Sequence, residues 1–147
     1  MKSVMIQHMV LRVIAKALIP LILLFALYVQ FHGDYGPGGG FQAGVIFAAG
    51  LILYALVFSL DRAEQVVSPL TQEILLAIGV LLYGGIGLLC LLKGGNFLDY
   101  NVLAHDPHHP QHGQHIGILL IELGVGITVT AAMTTIFFAF AKRERHV

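Results

Sequence analysis

Phe31-His-Gly-Asp-Tyr-Gly-Pro-Gly-Gly-Gly-Phe-Gln-Ala-Gly44 joins two apolar runs, each long enough to cross a bilayer. Positions 32–40 alone hold five glycines, Pro37 and the ionisable His32 and Asp34. A turn between membrane helices needs far less. Gly38-Gly39-Gly40 in a row gives up more backbone entropy on folding than turning requires. Three consecutive peptides without side chains point to close backbone approach, either to another helix or to something polar at membrane depth. The plainer reading of the same composition is a flexible hairpin loop.

Working outward, the chain has 147 residues, of which 57% are hydrophobic and only 11% charged. Its mean hydropathy is +0.84. A soluble domain usually carries about 25% charged residues, so this chain cannot cover itself in water. Four runs reach the roughly 20 apolar residues that spanning needs. They are 13–31, interrupted only by Lys16 and Pro20; 41–60 and 74–92, both uncharged; and 116–140, with the single acid Glu122. None alternates with the period of a membrane strand. The expectation is an all-α integral membrane protein, a four-transmembrane-helix bundle forming one membrane domain over 1–147. The basic start and apolar centre of the first run also fit a signal peptide, but no small-x-small cleavage site follows it.

Seven of the eight Lys and Arg residues (Lys2, Arg12, Lys16, Arg62, Lys142, Arg143 and Arg145) flank one side of these runs, against Lys93 on the other. The positive-inside rule then places both termini in the cytoplasm, with the glycine-rich and histidine-rich loops on the outer face. Zero formal net charge gives no reason to expect nucleic acid as a partner; membrane lipid is expected. A lone Cys90 excludes an intramolecular disulfide and reads as a packing residue.

Two separated stretches resemble a known family. His32-Gly33 followed by Pro37-Gly38-Gly39-Gly40-Phe41-Gln42-Ala43-Gly44 is similar to the signature of the MnhB/MrpB family, one of the small membrane components of the Mrp-type multisubunit Na+/H+ antiporters. The run from Gly113 to Gly126 resembles that family's last helix. The resemblance implies an accessory, non-enzymatic subunit in the bacterial plasma membrane, whose partners are the other antiporter subunits. The complex would exchange cytoplasmic Na+ for external H+ without an organic cofactor. The main proton machinery would lie in large subunits related to the proton pumps of respiratory complex I. The MnhB/MrpB component would help form the sodium path or hold the assembly together. Pro37, Gly38, Gly39, Gly40, Phe41 and Gly44 are its motif positions here.

Glu122 is the one acid well inside a run, about 9 Å past Ile116 at about 1.5 Å per residue. An ionised acid near mid-bilayer costs roughly 2.5–3.5 kcal/mol on insertion scales, so it calls for a partner, a water cavity or protonation. Glu122 is therefore the first ion-path candidate, beside His32, Asp34 and His115. Asp61 and Glu73, at run ends, read as interface residues. Gly40, Gly44 and Ala48 recur every four residues. Gly117, Gly124, Thr128 and Thr135 form a second small-residue face, and Gly79, Gly84 and Gly87 a third. Such stripes let helices approach closely inside lipid, within one chain or between subunits. His8, Arg12 and Lys16 form a basic stripe suited to lipid headgroups or a neighbouring subunit. Pro20, one turn on, removes a helix hydrogen bond.

The run from His105 to His115 holds five imidazoles and Asp106, groups that suit zinc, copper or nickel. Pro107 and Pro110 break any helical ligand spacing, so no metal site is assigned. A membrane-embedded metal-binding protein or enzyme using this loop, and a self-contained small channel, are the alternative functions.

Overall fold

A computed structural model describes residues 2–33, 36–104 and 112–144, with the side chains of 2–8 and 144 left aside. Asp34 and the histidines at 105, 108 and 109 lie outside the described residues. The described elements are all helical: α1 (Lys2–His32), α2 (Gly40–Phe58), α3 (Leu60–Val66), α4 (Pro69–Leu92) and α5 (His112–Glu144), with a 3-10 turn at Tyr100–Val102. Four helices are long and apolar enough to span: Met9–His32, Gly40–Phe58, Pro69–Leu92 and His112–Arg143. The fold is thus an all-helical membrane fold.

The long helices pack as a row. α2 and α5 form the middle pair, α1 lies against α2, α4 lies against α5, and α1 meets α5 only slightly. Small residues set these contacts, because lipid supplies no hydrophobic drive and close backbone approach must do so. A Cβ on Gly44 would stand 2.8 Å from the Gly126 carbonyl oxygen, and one on Gly79 2.7 Å from that of Gly124. The stripes on α2 and α4 are therefore spent largely within the chain, while Gly84 and Gly85 meet nothing within 4 Å. Large apolar residues such as Leu24 and Leu81 face outward, as suits a lipid solvent.

α3 departs from the apolar pattern, which reads 61–73 only as a connection. Ser59 takes φ 105°, its N–H donates to Ala55 O at 3.1 Å, and the seven-residue α3 starts at once. Leu60 and Ala63 pack it against Ala55 and Phe138. Lys142 Nζ pairs with Glu64 at 2.6 Å, tying α3 to the end of α5. α4 then begins with Ser68 as cap, accepting from the Thr71 N–H at 3.1 Å, and Pro69 in the first turn, where a missing N–H costs nothing. Pro20 lies inside an uninterrupted α1.

A glutamate in a glycine cradle

The glycine turn closes onto the last turn of α1. The Gly36 N–H donates to His32 O at 3.2 Å and the Gly39 N–H to Val29 O at 3.3 Å. Gly39 holds φ 115°, ψ 174° as the residue before α2, a conformation that L side chains rarely adopt. A Cβ on Gly38 would stand 2.9 Å from Val29 O. This compact path brings two glycines against the side chain of Glu122 and a third against its backbone.

A Cβ on Gly33 would lie 2.6 and 2.9 Å from the two carboxylate oxygens of Glu122, and one on Gly39 3.0 Å from Oε1. A Cβ on Gly40 would collide with the Glu122 carbonyl oxygen. The missing side chains make the room in which the acid sits. The carboxylate also faces the amino-terminal turn of α2, which carries no side-chain cap. The partial positive charge of a helix start favours a nearby carboxylate by about 0.3–1 kcal/mol, and up to about 2 when partly buried.

The remaining described candidates sit at this end without all converging. His32 stacks on Tyr28 with ring centroids 5.2 Å apart, and its Nε2 would lie 3.2 Å from a Cβ on Gly36. His115 is exposed on α5, two turns before Glu122, and is engaged in an interaction of its own. Pro37 and Phe41 are exposed on the rim of the turn. Between α4 and α5, residues 93–104 cap the same end. Lys93 Nζ donates to Leu103 O at 2.9 Å, Gln114 Nε2 donates to Asn101 Oδ1 at 3.1 Å, and the Tyr100 ring occupies the space a side chain at Gly117 would need. Burial raises the Tyr100 hydroxyl above the ordinary tyrosine value, with Tyr83 and Cys90 adding to it. Among the described residues, no three His, Cys, Asp or Glu side chains gather as a metal would need.

Below the cradle, a polar line continues along α5 at intervals of four: Glu122, Gly126, Thr130 and Thr134. Thr130 Oγ1 lies 2.8 Å from Gly126 O and 3.2 Å from Gly44 O. Thr134, 1% exposed, donates to Thr130 O at 2.6 Å. Opposite Gly126 stands Gln30 of α1, only 5% exposed, whose Nε2 has no acceptor among the described residues. An unsatisfied buried donor costs about 1–3 kcal/mol. A cavity of about 260 Å³ adjoins it, lined by Gln30, Ala43, Gly44, Gly126 and Thr130 among others. Hydropathy alone does not reveal Gln30. One uncharged amide leaves an apolar run intact, and the only available signal is its spacing of three from Gly33.

Residues 10–135 match the family described as "Domain related to MnhB subunit of Na+/H+ antiporter". The chain is 33% identical over 137 residues to a Staphylococcus haemolyticus (strain JCSC1435) protein named "Putative antiporter subunit mnhB2", covering 92% of this chain and 95% of that one. A Staphylococcus aureus (strain Newman) protein of the same name is 31% identical over the same coverage.

Proposed function

The chain belongs to the family of domains related to the MnhB subunit of Na+/H+ antiporters, and on that premise we propose that its glycine-cradled Glu122 is a waypoint on the antiporter's ion path. The chain is an accessory subunit of a multisubunit Na+/H+ antiporter, a transporter component rather than an enzyme. It is a multi-pass protein of the bacterial cell membrane and works with the other subunits of the complex. In the reading proposed here the complex exchanges cytoplasmic Na+ for external H+, both termini are cytoplasmic, and the cradle opens toward the outer face.

The observation that carries this reading is the contact of both Glu122 carboxylate oxygens with the space left by Gly33 and Gly39. An intramembrane acid is costly unless it serves a path or a pairing. A carboxylate can exchange a proton for a cation, and bare glycine backbone lets the ion approach it without a side-chain barrier. The partial positive charge of the nearby helix start favours the carboxylate in its ionised form. His32, at the end of α1, and His115 lie on the outer approach in this reading.

The test is Glu122→Gln in the intact complex, assayed by fluorescence dequenching in vesicles with an acid interior as sodium is added. Na+-driven proton movement should fall by about tenfold or more, a barrier change of roughly 1.4 kcal/mol. Glu73→Gln and Asp34→Asn should do less, and Glu122→Asp should retain more activity than Gln. Parental transport by an assembled Glu122→Gln complex would make Glu122 an interface residue and the chain a structural component.

A further inference from the structure

We propose that Gln30 is a positioning residue for Glu122, its side-chain N–H group serving as donor for a second seat of the acid, one helical turn deeper than the glycine cradle. This inference rests on the reading of Glu122 as an ion waypoint and gives that acid two positions. Two crossings of α1 and α5 on successive turns carry it. At the first, the Glu122 carboxylate lies against Gly33; at the second, the Gln30 amide lies against Gly126, with Oε1 2.5 Å from where a Cβ would stand. Gly33 and Gln30 are three apart on α1, and Glu122 and Gly126 are four apart on α5. Acid and amide therefore occupy the faces that the two helices turn to each other.

Gln30 is 5% exposed, and its Nε2 is buried without an acceptor among the described residues. Buried donors in native proteins are nearly all satisfied, so this one calls for an acceptor that arrives. Helix carbonyls are fixed in place, and the Thr130 hydroxyl one turn further on is turned to the carbonyls of Gly126 and Gly44. The Glu122 carboxylate is the side-chain acceptor that can move. It has one turn to descend, about 5.4 Å along the axis, by rotation between its own staggered rotamers. Gly126 and the adjoining cavity of about 260 Å³ leave room for the move. The cavity wall is apolar, with Leu27, Phe47, Leu123 and Ile127, so the side chain crosses as the neutral acid. At the second seat the amide N–H donates to a carboxyl oxygen, a bond that strengthens when the acid ionises.

The experiment uses the whole antiporter complex with Gln30→Met, which keeps side-chain length and removes the donor. Sodium is titrated in the dequenching assay, and complex yield is measured in parallel. The maximal rate should fall about fivefold, the scale of one lost hydrogen bond to an ionisable group. Half-saturating Na+ should change less, because Gln30 does not touch the cation. The same substitution is then made in Glu122→Asp, whose side chain is one methylene shorter and falls short of the second seat. There Gln30→Met should cause no further loss, whereas a merely structural role would lower both backgrounds alike. Gly126→Ala, whose methyl group displaces the Gln30 amide, should lower the maximal rate in the same Glu122-dependent way. It carries the test if the methionine variant fails to assemble. Equal losses in both backgrounds, or a parental rate for assembled Gln30→Met, would overturn the proposal. If Glu122→Gln is impaired while Gln30→Met matches the parent, the second seat fails alone and the glutamate reading stands.

Discussion

Gly39 and Gly40 are constrained for different reasons, and substitution separates them. Gly39 holds a positive φ, so any L residue there is strained whatever the space. Gly40 abuts the backbone of Glu122, so even a methyl group must push α2 and α5 apart. Gly39→Val and Gly40→Val should each weaken assembly or transport. Gly40→Val should cost more complex yield, because it acts on the central helix pair. Yield on affinity purification and sodium resistance of the host check this, and normal values for both variants would remove the cradle's structural importance. Much at this scale is legible in the sequence, since a lone acid in an apolar run and three consecutive glycines both stand out. Their meeting is not. Residue 122 lies some eighty positions from the turn, and only the packing of α2 on α5 joins them. Gln30 goes unread for the opposite reason, since an amide inside an apolar run breaks no pattern.

At the scale of elements, α5 is a two-faced helix. One face, with Glu122, Gly126, Thr130 and Thr134, meets α1 and α2. The other, with Gly124, Thr128 and Thr135, meets α4. On this second face Thr135 Oγ1 donates to Gln72 Oε1 at 2.9 Å, and Gln72 Nε2 donates to Val67 O at 3.2 Å, which pins the α3–α4 corner to α5. Gln72 is 2% exposed, so Gln72→Leu should lower the melting temperature of the complex through the lost hydrogen bonds, about 1 kcal/mol each. Gly79→Val should disturb the α4–α5 contact, where the added Cβ meets Thr128 Oγ1. Gly84→Val should spare it, because nothing lies within 4 Å. Size-exclusion profiles of the two variants after mild heating distinguish them, and equal loss would contradict the assignment. The face toward α4 is readable from its glycine and threonine spacing. The face toward α1 and α2 is disguised, because threonines at intervals of four look like ordinary packing residues. α3 is hidden too, because seven residues with two acids and an arginine carry no spanning signal.

For the whole molecule, the row α1–α2–α5–α4 places the glycine turn and the 93–104 cap at one end and α3 at the other. The proposed cytoplasmic placement of both termini predicts that tags at either end are reached by protease only in inverted vesicles; digestion in right-side-out vesicles would reverse the direction of the proposed path. The histidines at 105, 108 and 109 lie outside the described residues, and the proline-broken spacing of the run fixes no coordination geometry. Replacing His105, His108, His109 and His112 together should leave antiport largely intact. Stoichiometric zinc or nickel, with activity lost in that variant, would favour the metal-binding alternative. The class of the protein is written in its hydropathy, whereas the proposed ion waypoint depends on two distant segments acting as one unit. A double-mutant cycle tests that unity most directly, with Na+-driven proton movement measured for Gly39→Ala, Glu122→Gln and the pair in assembled complexes. If the turn acts through Glu122, the double variant should transport no worse than Glu122→Gln alone, a coupling of roughly 1 kcal/mol or more. Losses that simply multiply would show that turn and acid act independently, and would contradict the cradle as a functional site.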